Sequence, residues 1–412
     1  MTDLDTDLGT DLDMDLDMDL DMDLGTDLGT DLGMDLGTDL CMDYVLPLRW
    51  NDDAGLEELT AYLRRLRASV RVIVVDGSPA ELFARHAARW DGLALHVRPD
   101  GDLGFANGKV DGVITGLRRA RAEHVIVADD DVRYGEDELA RVDALLRSAD
   151  LVRPQNHFAP MPWHARWDTA RTLLNRGLGA DYPGTFGVRR STFRAMGGYD
   201  GNVLFENLEL IRTVRAHGGR EERPLDLYVR RLPPGSRHFW SQRVRQAYDD
   251  LAQPARMAFF LAVVPALAVA VRRRRPGPVL AGAGLAVGLA EIGRRRAGGR
   301  RVFPPTAALF APVWLLERAL CSWLALGTRF LRGGVFYAGR RIPVAAHSVR
   351  RLRARSQAAA SGSSVAREIG SGSLAARKPD RLCEPSQNGL AADRPQRHSA
   401  TVARPGSMTT PS

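Results

Sequence analysis

The sequence predicts an α/β fold with a largely parallel sheet, followed by apolar helices in the last third of the chain. Residues 70–75 are rich in Val and Ile, as in a strand that is buried on both faces. Strand-like and helix-like segments alternate from residue 44 to residue 128, which favours parallel strands joined by helices. Residues 257–271 and 277–293 are long apolar runs. Together these observations set the fold class.

The first half of the predicted fold is regular. Leu56, Leu59, Leu63 and Leu66 repeat with the spacing of a helix that buries one side. Short apolar runs predict the strands, and they cover residues 44–48, 70–75, 94–97 and 124–128. The predicted helices between them cover residues 56–69, 79–90 and 109–121, with a Gly-rich loop at 101–108. Further strands are predicted at 151–154 and 184–189, and further helices at 191–196 and 205–217.

Charge divides the chain unevenly. The formal net charge is +7, but residues 1–43 contain fifteen Asp and no Lys or Arg, so the remainder carries +22. An alternating acidic repeat of this kind predicts a disordered segment over residues 1–43, because a ladder of carboxylates repels itself in a strand. Ser, Ala, Pro and Arg predict a disordered basic tail over 346–412. Three cysteines are too few for an all-cysteine zinc site.

Residues 251–345 are predicted to form membrane-associated helices. Their apolar runs at 257–271, 277–293 and 302–326 are close to the length of about 20 residues that spans hydrocarbon. Arginine clusters at 272–275 and 294–301 flank them, and successive spanning helices would place one cluster outside, so at least one segment is expected to be re-entrant or interfacial. Buried helices of a soluble domain are the alternative.

The most informative motif is the acidic triad, which we define as Asp129, Asp130 and Asp131. It follows the apolar run 125–128, and ligands of open α/β sheets bind beyond the carboxyl ends of strands. Adjacent carboxylates repel each other, so the site gains from a cation such as Mg²⁺ or Mn²⁺. A solvated acidic turn is the alternative interpretation of the triad.

Two other residues are candidate substrate contacts. Asp76 follows the run 72–75, where a carboxylate can accept hydrogen bonds from a ribose or a base, although an Asp before Gly also forms turns. Lys109 follows the Gly-rich loop, but Leu103 and Val110 depart from the phosphate-loop pattern. Lys109 therefore remains a candidate phosphate contact at a helix N-terminus.

Taken in order, the motifs of residues 44–250 resemble those of the family-2 glycosyltransferases. The matching segments are Tyr44-Val-Leu-Pro-Leu, Val74-Val-Asp-Gly-Ser, Asn107-Gly-Lys, Ala128-Asp-Asp-Asp, Gly197-Gly-Tyr-Asp, Phe205-Glu-Asn-Leu-Glu-Leu and Ser241-Gln-Arg-Val-Arg-Gln. They are similar to that family's first two strands and to its Asn-x-Lys, D-x-D, G-G-[FY], E-D-x-[DE]-L and Q-x-x-R-W motifs. The resemblance implies a GT-A-like, Rossmann-type mixed sheet with helices on both faces.

Two positions depart from the family pattern. Asn207 stands where the family has an Asp that is often named as the catalytic base, and Gln246 replaces the Trp of Q-x-x-R-W. The base is then expected to be Glu206 or Glu209, which lie three apart on one side of a helix. The missing Trp removes a stacking surface for an acceptor sugar, which argues against a synthase of long polysaccharides.

The resemblance implies a metal-dependent, inverting transfer of a sugar from a nucleotide-diphosphate sugar to a hydroxyl acceptor. Asp129 and Asp131 are expected to hold Mg²⁺ or Mn²⁺. The expected substrate contacts are Asp76, Lys109, Asp130, Gln242, Arg243 and Arg245. A basic helix face that touches lipid phosphates is an equal explanation for the two arginines. The apolar segments favour a lipid or lipid-linked acceptor, at the cell membrane with the catalytic domain on its cytoplasmic side.

Two other classes of protein stay open. A metal-dependent nucleotidyltransferase also uses strand-end carboxylates, but residues 49–53, after the first strand, hold little Gly. A non-enzymatic protein that binds nucleic acid or anionic membranes would use the basic charge directly. We expect no nucleic-acid partner, because much of the Arg lies beside apolar segments or in the tail rather than between aromatics on one face.

Overall fold

A computed structural model of the chain describes residues 41–337 and 339–368. The predicted disorder of residues 1–40 and of the tail beyond residue 368 concerns residues outside this description. Within it, the mixed α/β fold followed by apolar helices is confirmed.

The strands are mostly short. They are β1 Met42–Leu48, β2 Arg71–Asp76, β3 Leu95–Val97, β4 His124–Ala128, β5 Val132–Arg133, β6 Leu151–Val152, β7 Gln155–Phe158, β8 Thr185–Arg189, β9 Glu221–Glu222, β10 Tyr228–Arg231, β11 Val335–Tyr337 and β12 Arg340–Ile342.

The helices fall into two groups, one interleaved with the strands and one after them. The first group is α1 Leu56–Leu66, α2 Ala80–Trp90, α3 Gly108–Arg119, α4 Glu136–Leu146, α5 Trp163–Leu178, α6 Arg190–Ala195 and α7 Glu206–Ala216. The second is α8 Ser236–Ser241, α9 Arg243–Tyr248, α10 Pro254–Arg272, α11 Pro276–Arg295, α12 Pro305–Leu309, α13 Ala311–Arg332 and α14 Val349–Glu368. Two 3-10 helices cover Asp249–Ala252 and Arg296–Arg301.

The large sheet has seven strands in the order β3-β2-β1-β4-β8-β6-β9. Strands β3, β2, β1 and β4 are parallel, whereas β8 runs antiparallel to both β4 and β6. The chain fills one side of β1 with β2 and β3 and then crosses to the other side with β4. The carboxyl ends of β1 and β4 therefore form the topological switch point, where open α/β sheets bind ligands.

Alternation along the strands covers both faces of the large sheet with helices, as predicted. Tyr44 and Leu46 of β1 belong to the core that contains residues of α1 and α4, whereas Val45 belongs to the core that contains residues of α3 and α7. Successive side chains of a strand point to opposite faces, so one strand contributes to both cores.

Helix α3 packs unusually close to β1. A methyl group added at Gly112 would lie 2.8 Å from Pro47 Cβ, and one added at Gly116 would lie 2.2 Å from Val45 Cγ1. These two glycines, one turn apart, let the helix backbone approach the strand. The contact fixes the N-terminus of α3, and with it Lys109, against the switch point.

The sequence did not predict a second sheet, in which β10 lies between β5 and β7. Strand β10 runs antiparallel to β5, with Arg231 opposite Val132, and parallel to β7. Because β5 begins directly after the acidic triad, this pairing places the end of β10 beside the triad.

The apolar C-terminal helices pack on α5. At the crossing of α5 and α11, a methyl group on Gly293 would lie 1.9 Å from the Leu173 carbonyl oxygen. Among the described residues, two helical segments are long and apolar enough to cross a membrane, Pro254–Arg272 and Pro276–Arg301. Residues 271–280, at the junction of α10 and α11, are all exposed.

The chain then returns to the residues around α7. After the β11–β12 hairpin, Val344 pairs with Val203, and the amide of Phe205 donates to the Ala345 carbonyl at 2.8 Å. Disorder is predicted from residue 346, but the structure has helix α14 there, packed on α7.

Candidate active site at the switch point

A cleft of about 370 Å³ lies at the switch point. One wall is the loop after β1, and the other is formed by Asp130 and Asp131 of the acidic triad with residues beside them. The lining residues are Arg49, Trp50, Asn51, Asp52, Gly55, Glu58, Asp130, Asp131, Arg133 and Leu232. The topology thus brings the predicted carboxylates to a cavity at the expected edge of the sheet.

Asp129 is the first residue of the triad, and its position depends on a glycine. Its amide donates to the Gly184 carbonyl at 2.8 Å. A methyl group on Gly184 would lie 2.4 Å from Asp129 Oδ2, so the absence of a side chain there leaves room for the carboxylate.

Asp130 and Asp131 have different surroundings. The indole of Trp50 donates to Asp130 Oδ2, which ties the loop after β1 to the triad. Asp131 Oδ1 is buried without a hydrogen-bond partner in the described part of the chain. Burial raises the pKa of Asp131 to about 6; Arg231 opposes the shift, and Asp129 and Asp130 add to it.

Lys109 joins the triad to α7. Its Nζ lies 2.6 Å from Asp129 Oδ1 and 2.6 Å from Glu206 Oε1, although Lys109 and Glu206 are 97 positions apart in the chain. Burial lowers the pKa of Lys109, but the two carboxylates outweigh it and hold the pKa above its usual range. Lys109, for which a phosphate contact is predicted, is therefore a cation that bridges the triad and α7.

Of the two predicted bases, the structure brings Glu206 to the triad. Burial raises the pKa of Glu206, with Lys109 opposing the shift and Asp129 adding to it. Asn207, at the family's Asp position, donates from Nδ2 to the Pro183 carbonyl at 3.0 Å. Burial and the nearby Glu206 hold the pKa of Tyr199 well above its usual range.

Glu209 lies elsewhere. Its Oε2 accepts the amide of His347 at 2.7 Å, and its Oε1 lies 2.8 Å from His347 Nδ1. The carboxylate is fully buried, so it holds the returning C-terminal segment on α7 rather than facing the cleft. The structure therefore does not bring Glu209 to the triad, where a base is expected.

Asp76 also lies away from the cleft. It is fully buried: Oδ1 accepts the amide of Ser78 at 2.8 Å, and Oδ2 lies 2.7 Å from His86 Nδ1 and 3.0 Å from His96 Nε2. Both oxygens are occupied by protein groups, so this position does not fit the predicted substrate contact of Asp76. Its cluster supports the cleft wall instead, because the ring of Trp50 packs edge-on against His86.

The three predicted substrate contacts at the start of α9, which are Gln242, Arg243 and Arg245, also differ in their surroundings. Arg243 is buried, with NH1 3.0 Å from Asp168 Oδ1 and Nε 3.3 Å from Glu317 Oε1, so it links α5, α9 and α13. This buried ion pairing explains Arg243 without a substrate contact.

Gln242 and Arg245 are partly buried and bonded to each other. Arg245 Nε donates to Gln242 Oε1 at 2.5 Å, and its guanidinium lies over the ring of Tyr337. Arg245 also acts on the site electrostatically, since its charge opposes the rise in the pKa of Glu206. Burial raises the pKa of the neighbouring Asp249 to about 7.

Sequence reasoning missed Arg231. Its Nε donates to Asp131 Oδ2 at 2.9 Å, and NH2 lies 3.4 Å from Asp129 Oδ2. Burial lowers the pKa of Arg231, but the two aspartates outweigh it and hold the pKa above its usual range. The only signal in the sequence was a basic pair, Arg230-Arg231, with no motif around it.

The donor set of the triad fits a hard divalent cation. Asp129 and Asp131 offer carboxylate oxygens, which Mg²⁺ and Mn²⁺ prefer, and Asp131 Oδ1 is an acceptor without a partner among the described residues. The side chains of Asp129 and Asp131 are 20% and 29% exposed, whereas Asp131 Oδ1 itself is buried.

Comparisons with known proteins add similarities in structure. No protein-family model and no curated protein sequence matches the chain. A mannosyltransferase from Pyrobaculum calidifontis, solved with GDP-Man and Mn²⁺, is similar over 79% of this chain and 80% of its own, at 19% identity and a TM-score of 0.40. Glucosyl-3-phosphoglycerate synthase from Mycobacterium tuberculosis, solved with Mn²⁺, UDP and phosphoglyceric acid, is similar over 48% of this chain and 73% of its own, at 17% identity and a TM-score of 0.33. Identities this low leave the function of this chain to be inferred from its own cleft.

Proposed function

We propose that the protein is a metal-dependent, inverting glycosyltransferase that moves a sugar from a nucleotide-diphosphate sugar to a hydroxyl acceptor. The observation that carries the proposal is the acidic triad, two of whose residues, Asp130 and Asp131, line the cleft at the switch point. Beside the triad lie a buried carboxylate, Glu206, and two cations. Such a set provides for both halves of the reaction, a charged leaving group and a hydroxyl that must lose its proton.

The donor half uses the triad. Asp129 and Asp131 would hold Mg²⁺ or Mn²⁺, which supplies charge stabilisation to a departing diphosphate. Lys109 and Arg231 add positive charge at the same place, where charge-assisted hydrogen bonds to phosphate oxygens are strong. Asp130, held by Trp50, shapes the cleft wall on the donor side.

The acceptor half uses Glu206. In one displacement, the acceptor oxygen bonds to the anomeric carbon while the bond from that carbon to the diphosphate oxygen breaks, and the electron pair leaves with the diphosphate. The hydroxyl proton passes to the Glu206 carboxylate. Burial raises the pKa of Glu206, which makes it a better proton acceptor than an exposed carboxylate.

We also propose that the protein associates with a membrane, because its C-terminal helices expose apolar side chains. Val271, Leu280 and Leu285 are 67%, 70% and 74% exposed, next to four consecutive arginines at 272–275. Apolar surface beside basic clusters suits an anionic bilayer. We place the enzyme at the cell membrane with the catalytic domain on the cytoplasmic side, and its acceptor among lipids or lipid-linked molecules.

Donor turnover tests the enzymatic proposal. The purified full chain in phospholipid nanodiscs is incubated with UDP- and GDP-sugars and Mn²⁺ or Mg²⁺, and release of nucleoside diphosphate is measured. We expect Asp131→Asn to lower the rate by about 100-fold or more. The exposed Asp137 on α4 gives the matched control, Asp137→Asn, with an unchanged rate. Release of pyrophosphate from nucleoside triphosphates would instead indicate the nucleotidyltransferase, and full turnover of Asp131→Asn would exclude the assigned metal site.

Flotation with vesicles tests the membrane proposal separately. We expect the chain to float with vesicles that contain phosphatidylglycerol, and a double variant, Leu280→Asp with Leu285→Asp, to bind at least about tenfold more weakly, because a charge costs several kcal/mol in hydrocarbon. Leu95→Asp, on the edge strand β3, is the control. Equal flotation of all three proteins would exclude this surface as the membrane contact.

A further inference from the structure

Arg231 bridges the two outer carboxylates of the acidic triad. Its guanidinium approaches Oδ2 of both Asp131 and Asp129, at 2.9 Å and 3.4 Å. Both oxygens belong to carboxylates that we assign as metal ligands, so the guanidinium and a divalent cation would share the same two carboxylates.

The backbone fixes the base of this side chain. Arg231 is the last residue of β10 and pairs with Val132 of β5, and the amide of Leu232 donates to the Asp131 carbonyl at 2.7 Å. The side chain itself is 25% exposed. The Cα is therefore held beside the triad, and the long side chain is in partial contact with solvent.

The charges at the site explain why a cation is needed before any ligand arrives. Asp129, Asp131 and Glu206 carry three negative charges within a small volume, and Lys109 neutralises only part of them. Without Arg231, the two aspartates would repel each other across a partly buried site. A guanidinium pairs well with carboxylates and equally well with phosphates, because its N–H groups form a fixed fork.

We propose that Arg231 is a placeholder cation, which holds Asp129 and Asp131 in position in the free enzyme and turns to the donor diphosphate when those carboxylates take up a divalent cation. This inference rests on the proposed function, since it needs a metal and a diphosphate at the same site. In this role Arg231 is a substrate-positioning residue that weakens binding of the metal and strengthens binding of the donor diphosphate.

The test measures those two steps separately by calorimetry on the full chain. For Arg231→Gln without nucleotide, we expect Mn²⁺ to bind about tenfold more tightly, because its competitor is gone. With Mn²⁺ saturating, we expect UDP or GDP, whichever binds the wild type, to bind at least about tenfold more weakly. Arg231→Lys keeps the charge but loses the forked arrangement of N–H groups. Its changes in Mn²⁺ affinity and in nucleotide affinity should therefore be smaller than those of Arg231→Gln.

The neighbouring Arg230 gives the matched control. It is exposed, and its Nε donates to the Ala159 carbonyl at 2.9 Å, away from the triad, so Arg230→Gln should leave both affinities unchanged. Weaker Mn²⁺ binding, or unchanged Mn²⁺ binding, in both Arg231 variants would overturn the placeholder role alone. A wild type that binds neither Mn²⁺ nor either nucleotide would overturn the proposed function and the placeholder together.

Discussion

Two strands on either side of β1 end in aspartates, and the two ends have different chemistry. At the end of β2, Asp76 is fully buried and both of its oxygens are engaged by the Ser78 amide and two imidazoles. After the end of β4, the side chains of the outer residues of the triad are partly exposed, and their partners are Lys109 and Arg231.

The partners account for the difference. His86 and His96 are short, rigid side chains packed among rings, with His86 stacked on Trp90 and His96 on Phe83. Lys109 and Arg231 are long and partly exposed, so they can exchange a carboxylate for another anion. A strand-end aspartate therefore supports the fold when short buried groups surround it, and it is available for chemistry when long cations do.

Removal of the Asp76 charge should have the largest effect on stability, and it tests this contrast most directly. Asp76→Asn keeps the shape but removes the carboxylate that two buried imidazoles face, and we expect it to lower the free energy of unfolding by about 3 kcal/mol. The melting temperature should fall by several degrees. Differential scanning calorimetry of the two proteins in the same nanodiscs measures the change.

The converse variant completes this comparison. Asp131→Asn should leave the melting temperature close to that of the wild type, because losing the charge relieves repulsion from two other carboxylates and offsets the lost ion pair with Arg231. Equal melting temperatures for Asp76→Asn and wild type would mean that the β2 end does not support the fold, and the contrast between the two strand ends would be lost.

Two glycines on and beside β8 offer a smaller but more selective change. An added methyl group meets an atom at 2.4 Å in both cases, Asp129 Oδ2 at Gly184 and Val142 Cγ1 at Gly187. We expect Gly184→Ala to weaken Mn²⁺ binding by about 10-fold to 100-fold, because it displaces a ligand carboxylate. Calorimetric titration of the purified protein with Mn²⁺ measures this.

Gly187→Ala is the matched control, since its methyl group is equally crowded but lies in the apolar core. It should cost about 1–3 kcal/mol of stability by overpacking, with Mn²⁺ affinity unchanged in the folded protein. If the two variants weaken Mn²⁺ binding equally, the effect comes from strand β8 as a whole and not from room for Asp129.

The sequence predicted where the carboxylates after β4 lie, but it did not predict the surroundings of Asp76 at the end of β2. The difference has a physical reason. The apolar run and the three consecutive carboxylates place the triad at a strand end without help from the rest of the chain. The role of Asp76 depends on His86 and His96, and no spacing rule shows that imidazoles from α2 and β3 converge on one oxygen. The strand was predictable, whereas the partners of its last residue were not.

The position of Arg231 could not be predicted from the sequence either, because the sheet that carries it was not predicted. It lies 100 positions after Asp131, on a strand of the second sheet. Strands of two to four residues carry too little periodicity to be recognised, so this sheet was not predicted. By contrast, Lys109 was predictable because a helix N-terminus beside a Gly-rich loop is a local feature.

The smallest effect is a dependence of stability on pH at the β2 end alone. Burial raises the pKa of Asp76, but hydrogen bonds from His96, Ser78 and His86 outweigh it and hold the pKa below its usual range. A carboxylate whose pKa is lower in the folded state stabilises the protein above its unfolded pKa of about 3.9, and this stabilisation is lost as the pH falls towards the folded value. The difference in unfolding free energy between wild type and Asp76→Asn should therefore narrow below about pH 4, by at most about 1.4 kcal/mol per pH unit.

Urea unfolding of both proteins at a series of pH values measures this difference, with Asp137→Asn as the exposed control. A gap that stays constant down to pH 2 would show that the charge of Asp76 is not what holds the cluster together, and the β2 end would then be stabilised by packing of its rings.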